Sequence, residues 1–308
     1  MTQLTFNGRN FFPTWSPDGK KIAWSISTGD SIMGLWTMNA DSSNKKRLYP
    51  YGMMPDWLSN NASIVYIGPS VEGSSTSTSQ IWIMDTLGNN KVRITNFNIS
   101  NRYPKVSPTG TKIVFSSQAE GQGPRVWVVN TDGTNLIKLT ETGGDHPAWS
   151  PDGTKIVYCN TVDGRLWTMN TDGTNKKQLS NRKDMIVKVT LIIFAVCLAI
   201  VGCGCNKTPT NPIDPPPIEP YATTDCDPSW SPNGNTIAYA HHSLSDTPSG
   251  IFLINPDGSN KRLFLESVEF QTLWHKPDWS PDGRWLVLCE TYSAQIYKIM
   301  APEGDSLT

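Results

Sequence analysis

Pro147-Ala-Trp149-Ser-Pro-Asp152-Gly153, followed by Lys155-Ile-Val-Tyr-Cys159 and then Trp167-Thr-Met-Asn170, is the stretch from which the fold can be read. Its first phrase recurs as Pro13-Thr-Trp15-Ser-Pro-Asp18-Gly19, Pro228-Ser-Trp230-Ser-Pro-Asn233-Gly234 and Pro277-Asp-Trp279-Ser-Pro-Asp282-Gly283. Degenerate copies stand at Pro55-Asp-Trp57-Leu-Ser-Asn60-Asn61 and Pro104-Lys-Val106-Ser-Pro-Thr109-Gly110. A second phrase follows each: Trp36-Thr-Met-Asn39, Trp82-Ile-Met-Asp85, Trp127-Val-Val-Asn130, Trp167-Thr-Met-Asn170, Phe252-Leu-Ile-Asn255 and Tyr297-Lys-Ile-Met300. A motif iterated at this period marks a repeat architecture, here of six units.

Each unit reads as four strands. The short Pro-x-Trp stretch comes first and ends in a tight turn. There Pro presets φ, Asp bonds back to the backbone and Gly accepts positive φ. An apolar second strand, a third carrying the Trp-x-Met-Asn phrase, a hairpin turn of the Asp-Gly kind and a short fourth strand complete the unit. One such sheet cannot bury both faces. Six stacked radially can, with Trp wedged between blades, each burying roughly 150–250 Å². The expected fold is all-β, a six-bladed propeller of four-stranded antiparallel blades.

The paired phrases resemble the WD-like repeat of the TolB propeller family, and the resemblance covers nearly the whole chain outside one insert. It extends to the propeller alone, since the α/β domain that precedes the TolB propeller has no counterpart in this sequence. Propellers of this kind occur in periplasmic Tol-system proteins, in peptidase gating domains and in secreted proteins. The resemblance thus implies binding or scaffolding rather than catalysis.

Trp or Val markers 15, 57, 106, 149, 230 and 279 are separated by 42, 49, 43, 81 and 49 residues. Removing Arg182–Tyr221 from the long interval restores the period. The domain reading is therefore propeller over 1–181, a signal-peptide-like apolar segment with a Pro-rich linker over 182–221, and propeller again over 222–308. In the insert, Arg182, Lys183 and Lys188 precede an apolar run, Val189–Val201, and then Gly202-Cys203 and the Pro-rich stretch Asn206–Pro220. Thirteen apolar residues reach roughly 20 Å as a helix, short of a ~30 Å hydrocarbon core. A basic start, a short apolar core and a small residue at the cut make a signal peptide. Ile200-Val-Gly-Cys203 resembles the lipobox of bacterial lipoproteins, which implies lipid attachment at Cys203 with Met185 as initiator. The alternative is an internal membrane anchor or a hydrophobic loop.

The two chain ends match each other. Glu303-Gly-Asp-Ser-Leu-Thr308 running into Gln3-Leu-Thr-Phe6 parallels Thr131-Asp-Gly-Thr-Asn-Leu-Ile-Lys-Leu-Thr140. The N-terminal strand is thus expected to complete the last blade and close the ring. The order corresponds to a circularly permuted lipoprotein, periplasmic or tethered to the outer membrane when read from Met185.

With 308 residues, 37% hydrophobic and 17% charged content and a formal net charge of −1, the chain carries no basic excess for nucleic acid. Membrane contact is expected only through the lipid. Neither catalytic residues nor a cofactor nor a metal is expected. The sequence contains no Gly-x-Ser-x-Gly elbow, no His-Glu-x-x-His and no Gly-rich phosphate loop. Cys159 and Cys289 end apolar strands and read as buried free thiols. His241 and His242, adjacent at a strand end, point to opposite faces and read as solvated loop residues rather than a metal pair. Asn130-Thr-Asp132-Gly-Thr-Asn135 lacks the bidentate Glu of a calcium loop and reads as a hairpin turn.

What remains is surface. The uniform turns share one face. The other carries the blade-to-blade connections, the variable loops between second and third strands, and the residue before each first-strand Pro: Phe12, Met54, Tyr103, His146, Asp227 and Lys276. They give an apolar arc on three blades and a polar arc on three around the channel mouth, suited to a protein or peptide of the cell envelope. The alternative is a propeller enzyme, a lyase or hydrolase acting on glycans, with His146, His241, His242 or His275 at the mouth. The protein is expected to be a monomer.

Overall fold

The computed structural model describes residues 1–27, 33–71, 78–97, 100–118, 123–180, 223–243, 248–267 and 273–302. They form six antiparallel four-stranded sheets. The insert over 182–221, with Cys203, lies outside the described residues. No helix among the described residues is long and apolar enough to cross a membrane.

Blade one shows the plan. Its strands run Asn10–Trp15, Lys21–Ile26, Gly34–Asn39 and Lys46–Tyr49, each paired to the next. The inner strands of the others are Met53–Trp57, Asn101–Val106, Asp145–Trp149, Thr223–Trp230 and Trp274–Trp279. Each inner strand contacts those of the two neighbouring blades, all the way round.

The turn phrase has a local cause. Ser16 Oγ donates to Asp18 Oδ1 at 2.7 Å, while Ser16 Oγ accepts from the Lys21 amide at 2.9 Å and Asp18 Oδ1 from the Lys20 amide at 3.1 Å. The same arrangement recurs at Ser150/Asp152, Ser231/Asn233 and Ser280/Asp282. Asn130–Thr134 is a hairpin turn, closed by the Asn130 amide on the Thr134 carbonyl at 2.9 Å, and Asp132 spends its carboxylate on Thr134.

The apolar core is divided into six clusters, each spanning two neighbouring blades. The inner-strand tryptophans are the wedges: Trp15, Trp57, Trp149 and Trp279 are buried. The Trp149 indole N–H reaches back to the Lys105 carbonyl of blade three at 3.0 Å, and that of Trp279 to Ser229 of blade five at 3.2 Å. Cys159 and Cys289 are buried free thiols.

Ring closure is joint. Blade six comprises Trp274–Trp279, Trp285–Glu290, Gln295–Met300 and the N-terminal Thr2–Gln3. Leu4 donates its amide to the Ile296 carbonyl and Thr5 Oγ1 accepts the Ile296 amide, at 2.8 and 2.9 Å. The pairs Ile94/Thr95, Leu139/Thr140 and Leu179/Ser180 make the same two contacts in blades two, three and four. The N-terminus therefore occupies the outer-strand position of the last blade residue for residue.

Candidate functional site

The six residues before the inner-strand prolines share an unusual backbone. Phe12, Met54, Tyr103, His146, Asp227 and Lys276 have φ of 56°, 52°, 53°, 49°, 54° and 52°. Such left-handed values are uncommon for any residue with a Cβ. In every blade the pairing register shifts at this point, so that three inner-strand steps oppose two on the partner strand. Each is a β-bulge, which re-aims a side chain. Proline fits there because it has no N–H to offer a ladder. The strand pattern alone gives no sign of these bulges; the invariant X-Pro in otherwise β-rich stretches is the signal that could have revealed them.

All six side chains and the prolines after them line one cavity of about 60 Å³ at the channel mouth. That volume holds a few waters. The expected apolar and polar arcs do not stay apart. Tyr103 and His146 stack with ring centroids 3.7 Å apart, and Phe12 lies 6.0 Å from Tyr103. The Lys276 ammonium crosses to them, 4.4 Å from the Tyr103 ring centroid and 5.0 Å from that of Phe12. It also pairs with Asp227, which meets His146 Nε2 at 3.0 Å. Met54 Sδ accepts the Tyr103 amide at 3.5 Å.

Burial opposes ionisation throughout this ring, and the charge pair overrides it. Burial would raise the Asp227 carboxyl, but Lys276 and then His146 hold it well below the ordinary value. Burial would lower the Lys276 ammonium, but Asp227 keeps it above the lysine norm. His146 has no such rescue: burial, then Lys276, bring it down to about 4, so the imidazole is neutral, with Nε2 3.0 Å from Asp227.

A second layer, absent from the sequence reading, plugs the channel below. Lys105 Nζ lies 3.1 Å from Asp56 and 3.7 Å from Asp278. Asp56 also accepts the Val106 amide at 2.8 Å, and Asp278 the Trp15 amide at 2.9 Å, so the plug ties together blades one, two, three and six. Burial raises the Asp278 carboxyl despite Lys105.

The histidines divide. His241 is no solvated loop residue: it lies within the strand Ile237–Ser243, almost fully buried, with Nδ1 2.5 Å from Asp225. Asp225 in turn takes the Ser180 hydroxyl, which makes this a structural joint between blades four and five. The strand continues through His241, His242 and Ser243, where the sequence suggests a loop, and that carries His241 inside. His242 points the other way, its ring centroid 4.4 Å from that of His275. His275 Nδ1 lies 3.6 Å from Asp227, beside the mouth.

With the geometry in place, the chain can be compared with known proteins. A family model for the TolB β-propeller domain matches residues 2–189. The chain belongs to that family. The uncharacterised protein Atu1656 of Agrobacterium fabrum is 29% identical over 170 residues, 50% of this chain and 56% of that protein. The Tol-Pal system protein TolB of Francisella tularensis is 25% identical over 273 residues, 87% of this chain and 54% of that protein. The chain thus spans little more than half the length of these relatives. In fold it is similar to a TolB structure from Agrobacterium tumefaciens, with a TM-score of 0.65 at 18% identity, covering 95% of this chain and 90% of that one. An oligogalacturonate lyase in complex with manganese is similar at a TM-score of 0.57 and 13% identity, over 99% and 80% of the two chains.

Proposed function

We propose that this TolB-family propeller is a non-catalytic binding or scaffolding module of the bacterial envelope, which recognises a protein or peptide at the channel mouth. The observation that carries this reading is the convergence of Phe12, Met54, Tyr103, His146, Asp227 and Lys276 on one small cavity, each re-aimed by its own bulge. An aromatic face, a thioether and a neutralised ion pair within a few ångströms form the kind of mixed surface that protein partners bury. An extracytoplasmic location, with lipid on Cys203 as tether and a monomeric propeller, belongs to the same proposal.

The test is capture of envelope proteins on immobilised propeller, in parallel with variants. F12A and Y103A should lose the captured band while circular dichroism stays native, and D152A, in the opposite turns, should keep it. Loss in D152A with retention in Y103A would place recognition on the other face. Turnover of oligosaccharides by the pure protein would instead support an enzyme.

A further inference from the structure

Beside the mouth, three donor side chains from three strands meet in the seam between blades five and six. Cys226 lies on the inner strand of blade five, His242 on its second strand and His275 on the inner strand of blade six. A ligand atom from each lies within 4.8 Å of the other two. A tetrahedral zinc ion with one thiolate and two imidazoles needs roughly 3.5 Å between donors, so modest side-chain rotations would complete the set.

We propose that Cys226, His242 and His275 form a transition-metal site of this protein, suited to Zn²⁺. The site is independent of the recognition role argued above. Two imidazoles and a thiol are the donor chemistry that zinc prefers over hard cations such as Ca²⁺ or Mg²⁺.

Two further observations support the assignment. Among the described residues, neither ring nitrogen of His242 has a hydrogen-bond partner, although both are buried. Leaving such a group unpaired is costly, and a metal ligand bond supplies what is missing. His275 already has the outer partner that metal-binding histidines use: its Nδ1 faces the Asp227 carboxylate at 3.6 Å, which leaves Nε2 for the ion. Binding displaces the thiol proton of Cys226 to solvent, so Zn²⁺, one thiolate and two neutral imidazoles sum to +1, which Asp227, shared with Lys276, offsets only in part.

Lys276 is the nearby cation, and Asp227 already pairs with it. Three protein ligands leave a fourth coordination position, which can take water or a donor from a bound partner.

The test uses the full chain with Cys203 and Cys205 changed to Ala, stripped with a chelator and titrated with Zn²⁺ against a competing indicator. Co²⁺ serves as the spectroscopic probe. One equivalent of Zn²⁺ should bind, and Co²⁺ should show thiolate-to-cobalt charge transfer with tetrahedral d–d bands. C226S should lose the charge-transfer band, and H242Q and H275Q should each weaken Zn²⁺ binding by roughly a hundredfold or more. Thermal unfolding checks that the variants are folded, and H241Q serves as the off-site comparison. Absence of stoichiometric Zn²⁺ binding, or binding that survives C226S, H242Q and H275Q unchanged, would overturn the site. Binding of Cu⁺ with none of Zn²⁺ or Co²⁺ would overturn the zinc assignment.

Discussion

Leu4 and Ile296, at opposite ends of the sequence, share a backbone hydrogen bond of 2.8 Å inside blade six. Leu4 is buried at 2% exposure against Trp15, Ile22, Val287 and Ile296, and so joins blades one and six. Leu4→Ala should cost about 2–5 kcal/mol, measured by urea unfolding. Hydrogen exchange should rise selectively at the Ile296 amide, which Thr5 caps. A loss spread evenly over all six blades would show that the joint is not the weak point.

Trp149 is a wedge of a different kind, buried between blades three and four with its indole N–H held by Lys105. Trp149→Ala should cost about 3–5 kcal/mol, because neighbouring strands cannot refill a cavity of that size. A loss below about 1 kcal/mol would mean that the ring repacks there.

His146 gives the mouth a pH dependence of definite sign. In the fold its pKa is held at about 4 against an ordinary 6.5. Between these values the unfolded chain binds a proton that the folded chain refuses, so stability is full above pH 6.5 and falls as pH drops toward 4. His242, also brought to about 4 by burial and then by His275, acts in the same direction. H146Q should therefore flatten the stability profile between pH 4 and 6.5 only in part. Urea midpoints with chelator present would measure this, and an unchanged profile would mean that His146 titrates normally.

Read from Met185, with Thr308 running on into Gln3, the chain should become an exported lipoprotein. Expressed in a bacterium supplied with labelled fatty acid, the reordered protein should carry label, and Cys203→Ala should not. An unlabelled, uncleaved product would make the apolar run Val189–Val201 an internal anchor or hydrophobic loop.

The blade count, the inter-blade tryptophans and the closing strand were legible in the sequence because each rests on local chemistry repeated several times. Ser-Pro-Asp-Gly forms the same hydrogen bonds wherever it stands, and Leu4-Thr5 resembles Leu139-Thr140. The six mouth residues were legible as positions, since each precedes a marked proline. Their contacts were not, because the bulges that turn them inward come from pairing register, which no single strand encodes. Lys105 with Asp56 and Asp278, and Cys226 with His242 and His275, escaped for a related reason. Their partners lie on other blades, and only ring closure brings them together.

One consequence of the six bulges concerns variation. At each mouth position the backbone is shaped by the following proline and the shifted register, not by the side chain that it presents. Two aromatics, a thioether, an imidazole, a carboxylate and an ammonium all sit on the same φ of about 50°. The positions behave as six interchangeable sockets in a fixed frame. A new partner could be met by changing the letters in those sockets one at a time, without redrawing the propeller that holds them.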